Sequence, residues 1–342
     1  MDAFYVSVEL RRRPELRGLP VIVAGSGPRA VVTTASYEAR RFGVGSAMPA
    51  ARARRLCPEG VFLSPDFAYY RQASREVMAI VSSLVDTLEV VGLDEVYLDL
   101  SGVEQPARTM RVLRAEIEAA TGLSCSVGIG PNKLVAKVAS DAEKPGGFVI
   151  LSRDQACARF AQAPCGLVPG IGPKTAERLR GAGIATLGQL ARAADEELAA
   201  RFGSRLGPEL VRRARFEDDT PVTQERKVIS ESRELTFDRD IADLGELEST
   251  LAGLVARLCE GLSQQGRQGR TVGIKVRLDD FSTHTRARTL SGAVGSAEIV
   301  GPIALDLLRR FDPPRPVRLL GVRIAGLEKA GDPLDKQLRL TL

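Results

Sequence analysis

Two adjacent carboxylates, Asp94 and Glu95, lie in the segment GLDEVYLDL at positions 92–100. Neighbouring carboxylates repel each other unless a cation neutralises them, and Mg²⁺ takes oxygen ligands of this kind. An isolated Asp-Glu pair is also common in surface turns. Here the flanking runs LEVV and VYLDL are apolar, so the pattern predicts that the pair lies at the end of buried strands. The residue types therefore predict metal-assisted phosphoryl chemistry.

The composition excludes several other kinds of site. The 342 residues include a single histidine, His284, which excludes histidine triads and histidine-rich metal centres. The cysteines are odd in number and never spaced C-x-x-C, which predicts reduced thiols in a cytoplasmic protein without zinc or disulfides. No apolar run approaches the ~20 residues that span a membrane, and the N-terminus does not predict a signal peptide. The net charge of +5 favours polyanionic partners.

The apolar periodicity predicts a chain of two to four domains that mixes helices and strands. Up to about residue 152, strands are predicted at 21–25, 30–36 and 125–130, helices at 65–85 and over ARTMRVLRAEIEAATG, and a strand hairpin over LEVVGLDEVYLDL. Residues 153–221 are Ala-rich and helical in pattern, and the polar residues 220–229 predict a linker. From residue 230 the order β-α-β-β-α-β is predicted, which indicates a second α+β domain.

Five segments, in this order, resemble the successive motifs of Y-family translesion DNA polymerases: MDAFYVSVE, TTASYEARRFGVGSAMP, GLDEVYLD, SVGIGPNKLVAKVASDAEKPGG and VPGIGPKTAERL. The resemblance covers essentially the whole chain. It implies an α+β multidomain, right-hand fold of palm, fingers and helix-hairpin-helix thumb, followed by a β-α-β-β-α-β little finger domain. It also implies a DNA-directed DNA polymerase that performs low-fidelity, template-directed synthesis with two Mg²⁺ ions. The implied boundaries are palm 1–3 and 66–152, fingers 4–65, thumb 153–221, linker 222–230, little finger 231–330 and a clamp-binding tail at 331–342.

The resemblance assigns metal ligands with one departure from the family pattern. Asp94 and Glu95 match two metal-binding acids, and Glu95 is expected nearest the primer end. The family motif Asp-x-Asp-x-Phe-Phe/Tyr aligns so that Met1 is the residue between its two acids and Asp2 is the second acid. The backbone carbonyl of Met1 then matches a further ligand, and the metal-bridging acid would lie directly before Met1. The chain as printed is therefore expected to bind metal and catalyse poorly.

Several residues are predicted to bind the incoming nucleotide. Tyr5 matches the steric gate, an aromatic ring that would collide with a ribose 2′-OH and so selects deoxynucleotides, and Phe4 is expected beside it. Without the resemblance, these would be interpreted as two core aromatics. The hydroxyl, phenol and guanidinium of Thr34, Tyr37 and Arg40 can bind triphosphate oxygens. The nucleotide-binding set is completed by Lys144, which precedes Pro145-Gly146.

Two regions are predicted to hold primer–template DNA. The segment VPGIGPKTAERLRGAGI at 168–184 is typical of a helix-hairpin-helix, in which Gly170 and Gly172 allow close approach to a phosphate and Lys174 adds charge. An ordinary Gly-rich helical hairpin is the alternative. In the second α+β domain, the basic residues Arg233, Lys275 and Arg277 are predicted to contact phosphates.

The last segment, QLRLTL, resembles the peptide with which bacterial proteins bind the replication sliding clamp. Gln337 would hydrogen-bond in a small pocket, and Leu338, Leu340 and Leu342 would fill an apolar groove. A final β-strand is the alternative. The expected partners are thus primer–template DNA, dNTPs and the clamp, for a monomer that does not enter membranes.

Two other functions stay open on the sequence. The missing bridging acid favours a catalytically impaired, polymerase-like adaptor that binds DNA and the clamp. A helix-hairpin-helix nuclease would use the same carboxylates to hydrolyse phosphodiesters, but it would have no use for a steric gate or a triphosphate site.

Overall fold

The computed structural model describes residues 1–224 and 228–329. The chain divides between residues 225 and 226 into two compact units, and the short segment Gly27–Arg29 is grouped with the second. Across the described residues, no helix combines the length and apolar character needed to cross a membrane.

The described part of the first unit contains eleven helices and seven strands. The helices are α1 (Phe4–Arg12), α2 (Tyr37–Arg40), α3 (Ala50–Leu56), α4 (Phe67–Leu84), α5 (Pro106–Thr121), α6 (Lys133–Ala142), α7 (Arg153–Phe160), α8 (Pro173–Gly181), α9 (Leu187–Arg192), α10 (Asp195–Phe202) and α11 (Leu206–Ala214). The strands are β1 (Val21–Ala24), β2 (Val32–Ala35), β3 (Val61–Leu63), β4 (Leu88–Val90), β5 (Val96–Leu98), β6 (Val127–Ile129) and β7 (Phe148–Ile150).

Three hydrophobic clusters hold the described part of this unit together. One surrounds the three-stranded sheet β2-β1-β3 and includes side chains of α3. A second joins the apolar faces of α1, α4 and α5. A third joins α6 to the helices α7–α11 and β7. Burial of apolar surface is the main favourable term in each of these clusters.

Capping residues explain where α4 begins and where α5 begins and ends along the sequence. The side chain of Asp66 accepts a hydrogen bond from the Tyr69 backbone N–H and caps α4. Pro106 occupies the first turn of α5, where its missing N–H leaves no hydrogen bond unmade. Gly122 ends α5 in the left-handed conformation with φ of 66°, which glycine adopts without strain. The sequence pattern predicted both helices and the Gly122 end.

Two small sheets lie beside the first residues of the chain. Strands β4 and β5 form an antiparallel hairpin, and β6 pairs with β7 in parallel. Met1 donates its amino group to the Asp94 carbonyl at 2.7 Å. Asp2 donates its backbone N–H to the Ser124 carbonyl at 3.1 Å. Residues 1 and 2 therefore contact the ends of both sheets.

The described part of the second unit has the order β8 (Ser230–Ile241), α12 (Leu244–Gln264), β9 (Arg267–Leu278), β10 (Thr283–Val294), α13 (Ala297–Phe311) and β11 (Val317–Lys329). The strands form one antiparallel sheet in the order β10-β9-β11-β8. Alternate residues of β9, from Val272 to Leu278, are buried against α12 and α13. The predicted β-α-β-β-α-β order is confirmed.

The structure differs from the sequence prediction in a few places. Helix α3 and the strands β3 and β7 were not predicted, because both strands have three residues and no alternation to mark them. Asp94 and Glu95 lie in the hairpin loop between β4 and β5, whose own residues are half-buried or exposed. The prediction that the acids end buried strands was therefore wrong in this respect.

Candidate active site

The acidic pair is held by the β4–β5 hairpin and by residue 1. The Val91 backbone N–H donates to the Glu95 carbonyl at 3.0 Å, which closes the hairpin loop. The Asp94 carbonyl accepts the Met1 amino group, so the pair is fixed against the start of the chain. The Glu95 carboxylate accepts a hydrogen bond from the Lys137 ammonium of α6.

Four charged side chains of alternating sign form a chain of ion pairs that starts at Glu95, runs through Lys137 and Asp141 of α6 and ends at Lys144. Lys137 contacts both Glu95 and Asp141, the latter at 3.3 Å. Asp141 also contacts Lys144 at 2.8 Å. Burial alone would lower the pKa of Lys137, but its bonds to Glu95 and Asp141 raise that pKa above the usual value. Burial alone would raise the pKa of Asp141, but the neighbouring Lys144 and Lys137 lower it. These bonds favour the charged forms of Lys137 and Asp141.

Asp2 is buried and its side chain is fully engaged. One carboxylate oxygen accepts from the Ser126 hydroxyl at 2.7 Å, and the other accepts from the Gly146 backbone N–H at 2.9 Å. Its exposed fraction is 2%. Asp2 therefore joins the start of the chain to the turn that carries Lys144.

Tyr5 lies on the first turn of α1 among other aromatic rings. Its ring stacks on Tyr70 of α4, meets the edge of Phe67, and lies beside the buried Phe4. Burial raises the pKa of the Tyr5 phenol, and the nearby Asp94 raises it further. The predicted steric gate and the predicted metal-binding acid are thus within electrostatic reach of each other.

The predicted triphosphate residues form one cluster at β2 and α2. Thr34 is buried, and the Arg40 guanidinium lies over the Tyr37 ring at 4.5 Å from the ring centre. The Tyr37 hydroxyl is buried and has no hydrogen-bond partner among the described residues. Burial and the carboxylates of Asp2 and Asp141 raise the pKa of Tyr37, and the Arg40 guanidinium partly opposes them. The cluster is therefore near the Lys144 turn, and it contains a polar group for which a ligand oxygen would be a partner.

A cavity of about 160 Å³ lies beside the acidic pair, between α4, α5, α6 and the two small sheets. Its apolar wall comes from α4, α5 and the two small sheets, and its polar residues include Asp94, Glu95, Ser126, Lys137 and Lys144. The two acids, Lys137 of α6 and Lys144 beyond its end thus face a common space.

The oxygen donors near the acidic pair are of the type that suits a hard cation, but they include too few carboxylates for two ions. Carboxylates and backbone carbonyls are the ligands that Mg²⁺ prefers, and Asp94, Glu95 and the Met1 carbonyl are of this type. Within residues 1–224 and 228–329, no group of three or more His, Cys, Asp or Glu side chains could hold a metal ion. Asp94, Glu95 and the Met1 carbonyl are thus donors of the right chemistry, and a two-cation site needs another carboxylate.

The predicted helix-hairpin-helix turn is built on α8 and α11. Gly170 has φ of 91°, and Gly172 precedes the first residue of α8. A Cβ at Gly170 would lie 2.9 Å from Arg213 Nη1, and the same guanidinium donates to the Pro169 carbonyl at 2.8 Å. Only glycine fits this position without displacing Arg213. Lys174 is exposed on the first turn of α8.

The predicted basic residues of the second unit do not share one face. Lys275 and Arg277 alternate with the buried residues of β9 and lie on its open face, where Lys275 pairs with Glu234 at 2.9 Å. Arg233 is opposite the buried Val322 in the β8–β11 register, and it pairs with Glu231 and lies beside Gly261 of α12. The register of β8 thus places Arg233 on the helix side.

Comparison with known proteins gives the family. Residues 1–141 match the impB/mucB/samB family, residues 226–340 match its C-terminal domain, and residues 167–215 match a SAM-like helix-hairpin-helix tandem. The chain is 45% identical to DNA polymerase IV of Methanoculleus marisnigri over 96% of this chain and 93% of that protein. The chain belongs to the Y family of DNA polymerases.

Solved Y-family structures agree with the fold. A Y-family DNA polymerase chimera superposes with a TM-score of 0.84 at 25% identity over 95% of this chain and 96% of its own. An insertion ternary complex of a related polymerase, Dbh, superposes at 0.66 with 26% identity over 95% and 96% of the two chains. The predicted right-hand α+β fold and the enzyme class, DNA-directed DNA polymerase, are confirmed for this Y-family chain.

Several residues around the Y-family site were not predicted. Lys137 and Asp141 engage Glu95 and Lys144, Ser126 holds Asp2, and Tyr70 supports Tyr5. One signal was available, because Lys137, Asp141 and Lys144 are spaced by four and three positions, which places them on one side of a helix. The residues predicted to bind the clamp, Gln337, Leu338, Leu340 and Leu342, lie outside the described residues.

Proposed function

We propose that this chain catalyses template-directed, low-fidelity translesion DNA synthesis. The observation that carries the proposal is the grouping of the acidic pair, the Tyr5 ring and the Tyr37–Lys144 region around residues 1 and 2. An acid site, a sugar contact and a phosphate contact are the three parts that nucleotidyl transfer from a dNTP needs. Neither an adaptor nor a nuclease needs the sugar contact.

The reaction forms a bond from the primer 3′-oxygen to the α-phosphorus and breaks the bond to the β-phosphate, so that pyrophosphate leaves and the hydroxyl loses its proton. Lys144 and Arg40 neutralise the triphosphate, and the Tyr37 hydroxyl donates to one of its oxygens. Thr34 adds a hydroxyl beside them. Tyr5 forms the surface under the sugar, and the buried Phe4 packs beside it. Catalysis is positioning and charge neutralisation, with no covalent intermediate.

Asp94, Glu95 and the Met1 carbonyl would hold the divalent cation. When bound, Mg²⁺ would neutralise the phosphate charge that develops in the reaction. The proposal of two Mg²⁺ ions requires one more acid, which the family motif places directly before Met1.

The proposed domain roles follow the boundaries given above. The palm (1–3 and 66–152) carries the acids, the fingers (4–65) cover the nucleotide, and the thumb (153–221) grips DNA with Gly170, Gly172 and Lys174. Residues 231–330 form the little finger, in which Lys275 and Arg277 lie on the open sheet face and are stronger candidates for phosphate contacts than Arg233. Clamp binding through QLRLTL and a monomeric state are proposed from the sequence alone.

The test is primer extension with Mg²⁺ and dNTPs on three proteins. They are the printed chain, a version with an apolar strand ending in Asp fused before Met1, and that version with Glu95→Ala. Extension by the fused version alone supports the proposal and the need for the added acid. Equal extension by the printed chain would show that the added acid is dispensable.

A second candidate is a DNA-binding adaptor with impaired catalysis. It is favoured by the pairing of Glu95 with Lys137. Binding of primer–template DNA without extension by any of the three proteins would support it over the polymerase.

A further inference from the structure

Lys137 lies between two carboxylates, of which only Glu95 is a proposed cation ligand. It contacts Glu95 of the hairpin loop and Asp141 one turn further along its own helix. The Lys137 side chain is 23% exposed, whereas those of Glu95 and Asp141 are 41% and 39% exposed. The Lys137 side chain is thus the most enclosed of the three.

The backbone that carries Lys137 is closely packed. A Cβ on Gly128 of β6 would lie 2.1 Å from the Ala136 carbonyl, so α6 and β6 are in direct backbone contact. The base of the Lys137 side chain therefore cannot shift without moving β6. Its flexible four-carbon stem can still move the ammonium from Glu95 to Asp141, which it already contacts.

We propose that Lys137 is the resident counter-ion of Glu95, a positioning residue that competes with the divalent cation. Without the cation, its ammonium neutralises Glu95. When a cation binds the acidic pair, the ammonium leaves Glu95 and stays paired with Asp141. This inference rests on the proposed role of Glu95 as a cation ligand.

Two opposite effects follow from the competition. Lys137→Gln removes the competing charge and leaves Glu95 unpaired, so Mn²⁺ should bind at least about tenfold more tightly, a difference of about 1.4 kcal/mol. Asp141→Asn removes the alternative partner, so Lys137 stays on Glu95 and Mn²⁺ should bind more weakly.

The helix offers a matched control. Lys133 lies one turn earlier on α6 and pairs with Glu89 at 2.9 Å, a carboxylate outside the acidic pair. Lys133→Gln removes the same charge from the same helix, and its effect on Mn²⁺ affinity should be much smaller than that of Lys137→Gln.

The experiment titrates the full chain with Mn²⁺, without DNA or nucleotide, and follows free Mn²⁺ by electron paramagnetic resonance. Thermal unfolding of the same variants with and without Mn²⁺ gives a second readout, in which Lys137→Gln should show a larger gain in Tm than the wild type. If Lys137→Gln does not fold, Asp141→Asn tests the same competition with Lys137 in place.

The possible failures are distinguishable. Unchanged Mn²⁺ binding by Glu95→Gln would overturn both the proposed ligand and the counter-ion role. Loss of binding by Glu95→Gln, together with unchanged or weaker binding by Lys137→Gln, would overturn the counter-ion role alone. Binding by Lys137→Gln but not by the wild type would support it, and absence of binding by both would overturn it.

Discussion

The ring of Tyr70 stacks on the ring of Tyr5 with centroids 4.6 Å apart and an angle of 29° between the planes. Tyr70 is fully buried, and its hydroxyl donates to the buried Glu9 at 2.8 Å. Burial raises the pKa of Tyr70, so the hydroxyl keeps its proton at any ordinary pH. The proposed steric gate therefore has a fixed aromatic surface behind it, which limits how far the Tyr5 ring can yield to a larger sugar.

Removal of the Tyr5 ring should relax sugar selection. In whichever protein of the extension experiment incorporates nucleotides, Tyr5→Ala should lower the ratio of kcat/KM for dNTP over rNTP at least about tenfold, because a space replaces the ring. The measurement is single-nucleotide insertion with matched dNTP and rNTP. Tyr5→Phe keeps the ring and should retain the selectivity. An unchanged ratio for Tyr5→Ala would contradict the gate assignment.

Loss of the Tyr70 hydroxyl should destabilise the protein. Tyr70→Phe keeps the stacked ring but leaves Glu9 with only its Arg12 and Arg13 partners among the contacts described. Hydrogen bonds to charged groups contribute about 1.5–3 kcal/mol, so urea unfolding should show a loss of this order. Tyr69→Phe, on the neighbouring residue whose ring lies under Arg12, is the control and should change little. Equal losses in the two variants would argue against the Tyr70–Glu9 bond.

A side chain at Gly170 should weaken DNA binding. The left-handed conformation costs about 1–2 kcal/mol for a residue with a Cβ, and that Cβ would displace Arg213. Gly170→Ala should therefore bind primer–template DNA at least about fivefold more weakly, measured by fluorescence anisotropy at fixed salt. Gly181→Ala, at the end of α8 with open space around it, is the control. Unchanged affinity for Gly170→Ala would place the DNA contact elsewhere.

The cap of α4 should make stability depend on pH in acid. The Tyr69 backbone N–H and the Arg12 guanidinium hold the pKa of Asp66 below its usual 3.8. Because the folded pKa is the lower one, the stabilisation is present above pH 4 and is lost as the pH falls through the folded pKa. The difference in free energy of unfolding between the wild type and Asp66→Asn should therefore shrink from about pH 5 to about pH 2. Urea unfolding across this range measures it, and a constant difference would contradict the assignment.

The sequence predicted what depends on local pattern. Helices α4 and α5 have periodic apolar faces and clear ends at Asp66 and Gly122, and the β-α-β-β-α-β order follows from long strands and long helices. The sequence did not predict features that depend on contacts between distant segments of the chain. The pairing of Glu95 with Lys137 joins residues 42 positions apart, and the side on which Arg233 lies depends on the register of β8 against β11.

The family motifs supplied the remaining site residues, and the structure places them without testing their roles. Tyr5, Tyr37 and Lys144 are far apart in sequence, but Tyr5 is near Asp94, Tyr37 is near Asp2 and Asp141, and Lys144 contacts Asp141. No periodicity could have predicted the buried Tyr37 hydroxyl, because its lack of a partner depends on the packing of β2 and α2 against the rest of the first unit.

The two hydrogen bonds of the Asp2 carboxylate help to set the distance between Tyr5 and the turn that carries Lys144. Through Gly146 the carboxylate positions the turn that carries Lys144, and through the backbone it positions Tyr5 three residues further along. The contacts proposed for the sugar and for the phosphates are therefore set apart by the protein before any nucleotide arrives. With these proposed roles, a nucleoside monophosphate would contact the Tyr5 side of the site but would leave Lys144 without a phosphate. A nucleoside triphosphate would contact both.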